Sequence, residues 1–246
     1  MYGKLKSYIR TLRDRYRGCG DYQPSDQARR LEFLLNSAET LVDLGCGTNP
    51  HPRASCGVDA FIEPTHRQLG HGETIKPATL NCEFIRADLS SLPFADKQFD
   101  VAYSHHVFEH VPDPRSACRE MTRVARRGVI ITPSPFAEIA FGREYHLWMV
   151  FHRGKTIFFL RKRKEDDRPF GAHPAFSNGS WRALSSTNAF DILLNDGSWY
   201  HGLERMRRLE TKIKHLWYSR SPIMETMYFW EGDIRCVVIE EDGKIH

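Results

Sequence analysis

The sequence predicts an α/β fold built on a mostly parallel sheet, and three observations predict it. Short apolar runs recur at 41–44, up to Asp59, at 84–89, at 101–104 and at 129–132, each of a length and composition that suits a buried strand. Segments with helical periodicity alternate with several of them, the order that builds a helix-flanked parallel sheet. Acids and glycines gather where these runs end, at the sheet edge where open α/β folds bind their ligands.

Taken in order, Tyr2, Leu5, Tyr8, Ile9, Leu12 and Tyr16 recur at helical spacing among lysines and arginines. Such a helix can pack its aromatic stripe on the domain or lie on an anionic membrane surface. Residues 1–38 form an N-terminal helical segment, and 39–246 the main domain. Within that segment Ser25 or Asp26 can cap a second helix carrying Leu31, Leu34 and Leu35. The first strand, Leu41-Val42-Asp43-Leu44, runs straight into Gly45-Cys46-Gly47, a turn whose missing Cβ atoms admit a ligand close to the backbone. Pro50 and Pro52 then limit the crossover to a turn or loop. A second strand ends on Asp59, whose carboxylate can accept hydrogen bonds from two ribose hydroxyls. Residues 61–81 are polar, with Pro64, Gly70, Gly72 and Pro77, and read as a loop.

A third strand leads to Asp88 and Leu89, and the loop Leu92-Pro93-Phe94 precedes a fourth strand ending at Ser104. Asp113-Pro114 starts a helix as cap and first-turn proline, with Gly128 expected to stop it before strand five. Pro133 and Pro135 end that strand. Two runs around Arg153-Gly154 read as a β-hairpin, inside an insertion at 136–180 on the substrate side. A helix at 181–188, a strand at 190–194 and a basic helix from 203 to 220 follow. Residues 228–230 and 235–240 read as a closing strand pair around Gly232.

The ordered set D-L-G-C-G, Asp59, D-x-x-x-L-P-F from Asp88 and E-H-V-x-D-P from Glu109 resembles the class I S-adenosylmethionine-dependent methyltransferases, type 11-like. The resemblance covers roughly 41–135. It implies a Rossmann-like, doubly wound, seven-stranded sheet whose last strand runs antiparallel, with S-adenosyl-L-methionine as cofactor. It implies cofactor contacts from Asp43, Gly45, Cys46, Gly47, Asp59 and Ser104. Asp88 would accept a hydrogen bond from the adenine amino group, and the Leu89 backbone N–H would donate to a ring nitrogen. The other reading of Asp88 is a cap on the turn after its strand.

Methyl transfer is an in-line displacement helped by positioning and by exclusion of water, and a hydroxyl acceptor gains from a base. Of the 12 histidines, His105 is the candidate, because strand four delivers it to the cofactor edge just after Ser104; the other reading is that it only lines the pocket or packs. Glu109 and His110 read as structural. His146, Trp148 and His173 fall in the segment that would choose the substrate; the other reading is a satisfied hairpin core, which Trp148 suits better.

The function expected is therefore methyl transfer to a small-molecule, glycan or lipid-linked acceptor. An RNA or protein methyltransferase and a non-catalytic partner-binding subunit are the alternatives. With 35 basic residues against 31 acids, the net charge of +4 is too slight to assert nucleic-acid binding, and with no N/D-P-P-Y/F motif at strand four nucleic acid is not the expected partner. The six cysteines have no zinc-binding spacing and suggest a reducing compartment. No metal is expected. No apolar leader or bilayer-length stretch is visible, so a cytoplasmic place is expected, with the basic helices allowing peripheral membrane contact.

Overall fold

The computed structural model describes residues 24–47, 49–60, 82–141, 146–162, 212, 215–216 and 219–246. The expectations for the first 20 residues, the 61–81 loop, His173, and the elements at 181–188 and 190–194 fall outside these residues. So does most of the basic 203–220 helix.

Among the described residues, six strands form the central sheet: β1 (Leu41–Leu44), β2 (Cys56–Asp59), β3 (Glu83–Arg86), β4 (Phe99–His105), β5 (Ala125–Pro133) and β8 (Glu225–Glu231). Their order is β3-β2-β1-β4-β5-β8, parallel except for the antiparallel β8. The chain leaves β1 toward one side of the sheet and returns to the other at β4, so the β1–β4 junction is the switch point where ligands enter such sheets. Register puts Leu44 beside Val58, Asp43 beside Tyr103 and Asp59 beside Arg86. Asp59, Ser104 and the approach to Asp88 therefore share one edge.

Both faces of the sheet are covered. Helix α1 (Asp26–Asn36) is capped by the Ser25 hydroxyl, which accepts from the Ala28 N–H at 3.2 Å. It buries Leu31, Leu34 and Leu35 against Leu41, Val101 and Val129. On the other face lies α2 (Pro114–Val124), with Ala117, Cys118, Met121 and Val124 inward. Its Asp113 cap accepts from the Arg115 and Ser116 N–H groups, both at 3.1 Å. Arg123 of α2 donates to the carbonyls of Leu92 (2.8 Å) and Phe94 (2.6 Å), which holds the L-P-F loop in place. Full burial of one such leucine or valine contributes about 1.5–3 kcal/mol, so these two apolar layers dominate the fold's stability.

Beside α2 sits a second, three-stranded sheet. Strands β6 (Trp148–Arg153) and β7 (Thr156–Arg161) pair antiparallel across Gly154 (φ +58°), and β9 (Arg235–Ile239) pairs parallel to β7. Two expectations are corrected here. The strand after Gly232 does not pair with β8 to give a seventh strand of the main sheet. Gly232 (φ +76°) turns the chain out to β7 instead. Gly128 does not end a helix either: α2 gives way directly to β5, and Arg126, Arg127 and Gly128 all lie in that strand. A Cβ on Gly128 would come within 2.2 Å of the Ala102 carbonyl oxygen, so close strand packing is what glycine permits there. Among the described residues, no helix is long and apolar enough to cross a membrane.

Candidate active site

The turn after β1 is shaped by two left-handed glycines, Gly45 (φ +80°) and Gly47 (φ +53°). The N–H groups of Gly45 and Cys46 both reach the Val58 carbonyl, at 2.7 and 3.1 Å, folding the turn over the end of β2. The Gly47 N–H donates to Asp59 Oδ2 at 2.9 Å, so glycine turn and strand-end acid form one unit. A Cβ on Gly45 would meet Val107 Cγ2 at 2.2 Å, whereas at Gly47 nothing lies within 4 Å. Gly45→Ala is therefore expected to cost about 1–3 kcal/mol in urea unfolding, through overpacking and backbone strain, and more than Gly47→Ala. Equal midpoints for the two variants would contradict this packing.

Asp43 lies beneath the turn, buried, and Oδ2 accepts the His51 N–H at 2.7 Å. Burial is the main reason its carboxyl is pushed up to about 7; the His51 bond opposes this and nearby Asp59 adds to it. An acid with a raised folded pKa holds its proton more tightly when folded, so its contribution to stability falls as pH rises from about 4 to 7. Asp43→Asn keeps an oxygen for His51 and removes the titration. Its melting temperature is expected to gain on the wild type between pH 5 and pH 8, and a constant difference would exclude Asp43 as the source.

Asp88 is exposed, and its Oδ1 accepts from both the N–H (2.8 Å) and the hydroxyl (2.6 Å) of Ser90. It caps the turn after β3, and the adjacent Leu89 is buried. Ser104 is fully buried, with its hydroxyl donated to the Leu44 carbonyl at 2.9 Å. It braces β4 against β1 rather than presenting an oxygen to the crevice.

His105 is the last residue of β4 and its side chain is 31% exposed. Nε2 stands 3.2 Å from Oε1 of Glu225, which is 3% exposed. Glu225 opens β8, and because β8 runs against β5, its first residue arrives at the edge where the parallel strands end. Burial would raise the Glu225 carboxyl, but Arg220 (3.3 Å), His105 and His106 hold it well below the usual range. Burial and the adjacent His106 push the His105 ring down to about 4, with Glu225 opposing. A neutral ring facing an ionised carboxylate must give it the N–H, so Nε2 carries the proton and Nδ1 keeps the lone pair.

His106 follows with φ +57°. Its Nδ1 lies 3.1 Å from Glu109 Oε1 and its Nε2 3.4 Å from Glu225 Oε1. Burial disfavours the charged ring, yet the two carboxylates outweigh it and raise it to about 9. The same contacts hold the buried Glu109 near 2 against its own desolvation.

His146 is buried, Nδ1 lies 2.7 Å from Glu138 Oε2, and Glu138 in turn accepts from Lys162 Nζ at 2.7 Å. Trp148 is 1% exposed, donates Nε1–H to the Val111 carbonyl at 2.7 Å and packs edge-on to Phe159. That is a core position with its polar atom satisfied, so Trp148 does not line the crevice. Sequence reasoning missed Glu225, Arg220 and the Glu138–Lys162 pair. An acid opening a strand and an acid in the short helix Pro135–Phe141 carry no local signal of such partners.

Residues 42–132 match the family described as methyltransferase domain. Over 137 residues the chain is 32% identical to a demethylmenaquinone methyltransferase of Renibacterium salmoninarum, covering 52% of this chain and 56% of that protein. A protein of the same description from Paenarthrobacter aurescens is 36% identical over 122 residues, 46% of this chain and 47% of the relative. An uncharacterized methyltransferase of Mycobacterium sp. (strain KMS) is 43% identical over 67 residues, 27% of this chain and 25% of its own. The chain thus spans between a quarter and a little over half of these relatives. The residues matched by the family, 42–132, carry the glycine turn, Asp59, Asp88 and the end of β4. With that segment folded on a parallel sheet at its switch point, residues 42–132 are similar to methyltransferase domains.

Proposed function

We propose that the protein transfers a methyl group from S-adenosylmethionine to a hydroxyl of a small-molecule acceptor at the edge bounded by the glycine turn, Asp59 and His105. The observation that carries this reading is the His105–Glu225 pair, a neutral imidazole fixed by an ionised carboxylate one residue past Ser104. Asp59 holds the ribose hydroxyls, the turn at Gly45, Cys46 and Gly47 accommodates the rest of the nucleoside's neighbourhood, and Asp88 with Leu89 receives the adenine. Asp43 acts from below, by fixing the turn through His51.

The cofactor supplies an electrophilic methyl whose sulfonium charge disappears on transfer. His105 Nδ1 takes the hydroxyl proton as the oxygen–carbon bond forms, and Glu225 steadies the resulting imidazolium through Nε2–H, the division of labour of a histidine–carboxylate dyad. His146 borders the acceptor side. The demethylmenaquinone methyltransferases among the relatives favour a small-molecule acceptor over a macromolecule. Release of S-adenosylhomocysteine across a library of hydroxylated small molecules tests this. Turnover with phenols or other alcohols supports it, and turnover confined to RNA or protein substrates would replace it.

A further inference from the structure

We propose a divalent transition-metal site of the zinc type, formed by Glu109, His110 and His146. One ligating atom from each of the three lies within 4.8 Å of those of the other two. His110 Nε2 is 3.9 Å from Glu109 Oε1, and the His110 and His146 rings stand edge to face with centroids 4.7 Å apart. Two nitrogens and a carboxylate oxygen are the donor set of many three-ligand zinc sites, which leave a fourth position for solvent or substrate.

The backbone builds this arrangement. The N–H groups of Leu147 and Trp148 donate to the Glu109 carbonyl at 2.7 and 3.2 Å, which brings the residue before them, His146, to the Glu109–His110 corner. The orientation of each donor is also set from behind. His146 Nδ1 is engaged by Glu138, itself held by Lys162, so Nε2 is the nitrogen that would ligate. Glu109 receives His106 Nδ1 on Oε1. Carboxylate-backed histidines and hydrogen-bonded carboxylates are the usual supports of metal ligands.

An independent observation points to a ligand. Glu109 is 1% exposed, and its Oε2 has no hydrogen-bond partner among the described residues. A buried carboxylate oxygen left in that state is costly unless something cationic or donating meets it. The neighbouring group His105, His106 and Glu225 has comparable geometry, but Arg220 stands 3.3 Å from Glu225 and repels a second cation there. At the Glu109 cluster the nearby Lys162 is matched by Glu138, and the charge of His106 is shared between two carboxylates, Glu109 at 3.1 Å and Glu225 at 3.4 Å.

Cobalt(II) added to chelator-treated, full-length protein reads the site directly, with zinc as competitor. One equivalent is expected to give visible ligand-field absorption that zinc abolishes. His110→Ala, at a side chain 16% exposed, and His146→Gln are each expected to weaken binding at least about tenfold with near-native circular dichroism. Glu225→Gln is expected to leave the affinity within a factor of about three, since it removes no ligand. The proposal is overturned if the folded protein shows no saturable uptake, or if His110→Ala binds like the wild type. Loss of binding in Glu225→Gln alone would overturn it too, by moving the cation to the other cluster. None of these readouts depends on the methyl acceptor.

Discussion

Replacing His105 by alanine is expected to lower the single-turnover methyl-transfer rate by about 10²–10⁴-fold while leaving S-adenosylmethionine affinity nearly unchanged. The ring stands at the end of β4 with about a third of its side chain open, and Glu225 fixes its tautomer. Because burial and His106 hold it down near 4, the wild-type rate should be level across neutral pH and fall only on acidification toward that value. An unperturbed histidine would instead show a rise through pH 6–7. Glu225→Gln keeps an acceptor oxygen for Nε2–H but withdraws the charge that steadies the imidazolium. Its rate should lie between those of the wild type and His105→Ala, with substrate KM little changed. A His105→Ala protein with the full rate and pH profile would eliminate His105 as the base.

Asp59→Ala is expected to weaken S-adenosylmethionine binding by about 1.5–3 kcal/mol, the scale of hydrogen bonds to a charged group, or roughly 10–150-fold in Kd. In the proposed reading the residue makes two contributions at once: its carboxylate would receive the ribose hydroxyls, and Oδ2 already receives the Gly47 N–H at 2.9 Å. Asp59→Asn separates them, since an amide oxygen can still accept from Gly47 but the negative charge is gone. Asn should therefore lose less than Ala. Asp88→Ala should lose less again, because Asp88 is exposed and one of its oxygens is committed to Ser90. Calorimetry giving wild-type affinity for Asp59→Ala would remove the ribose from this edge.

What could be read in the sequence was local. The strand–glycine-turn–strand unit from Leu41 to Asp59 is specified by neighbours in the chain, and Pro50 and Pro52 leave the crossover no helix to form. The Asp113-Pro114 start of α2 is equally local, a cap and its first-turn proline. Gly128 misled because a glycine after a helical stripe looks like a stop; the contact that demands it, the Ala102 carbonyl, is on another strand. The end of the chain misled for a similar reason, since the partner β9 chooses is β7 of the smaller sheet rather than β8 beside it. Glu225 was out of reach altogether. It lies 120 residues from His105 in sequence, and only the antiparallel pairing of β8 on β5 brings the two side chains together.

The most direct test of the account is a crystal structure of the protein with S-adenosylhomocysteine. The ribose hydroxyls are predicted within hydrogen-bond distance of Asp59, the adenine beside Asp88 and Leu89, and the sulfur turned toward the side on which His105 stands. A ligand seated away from the β1–β4 switch point, or one whose ribose makes no contact with Asp59, would contradict it.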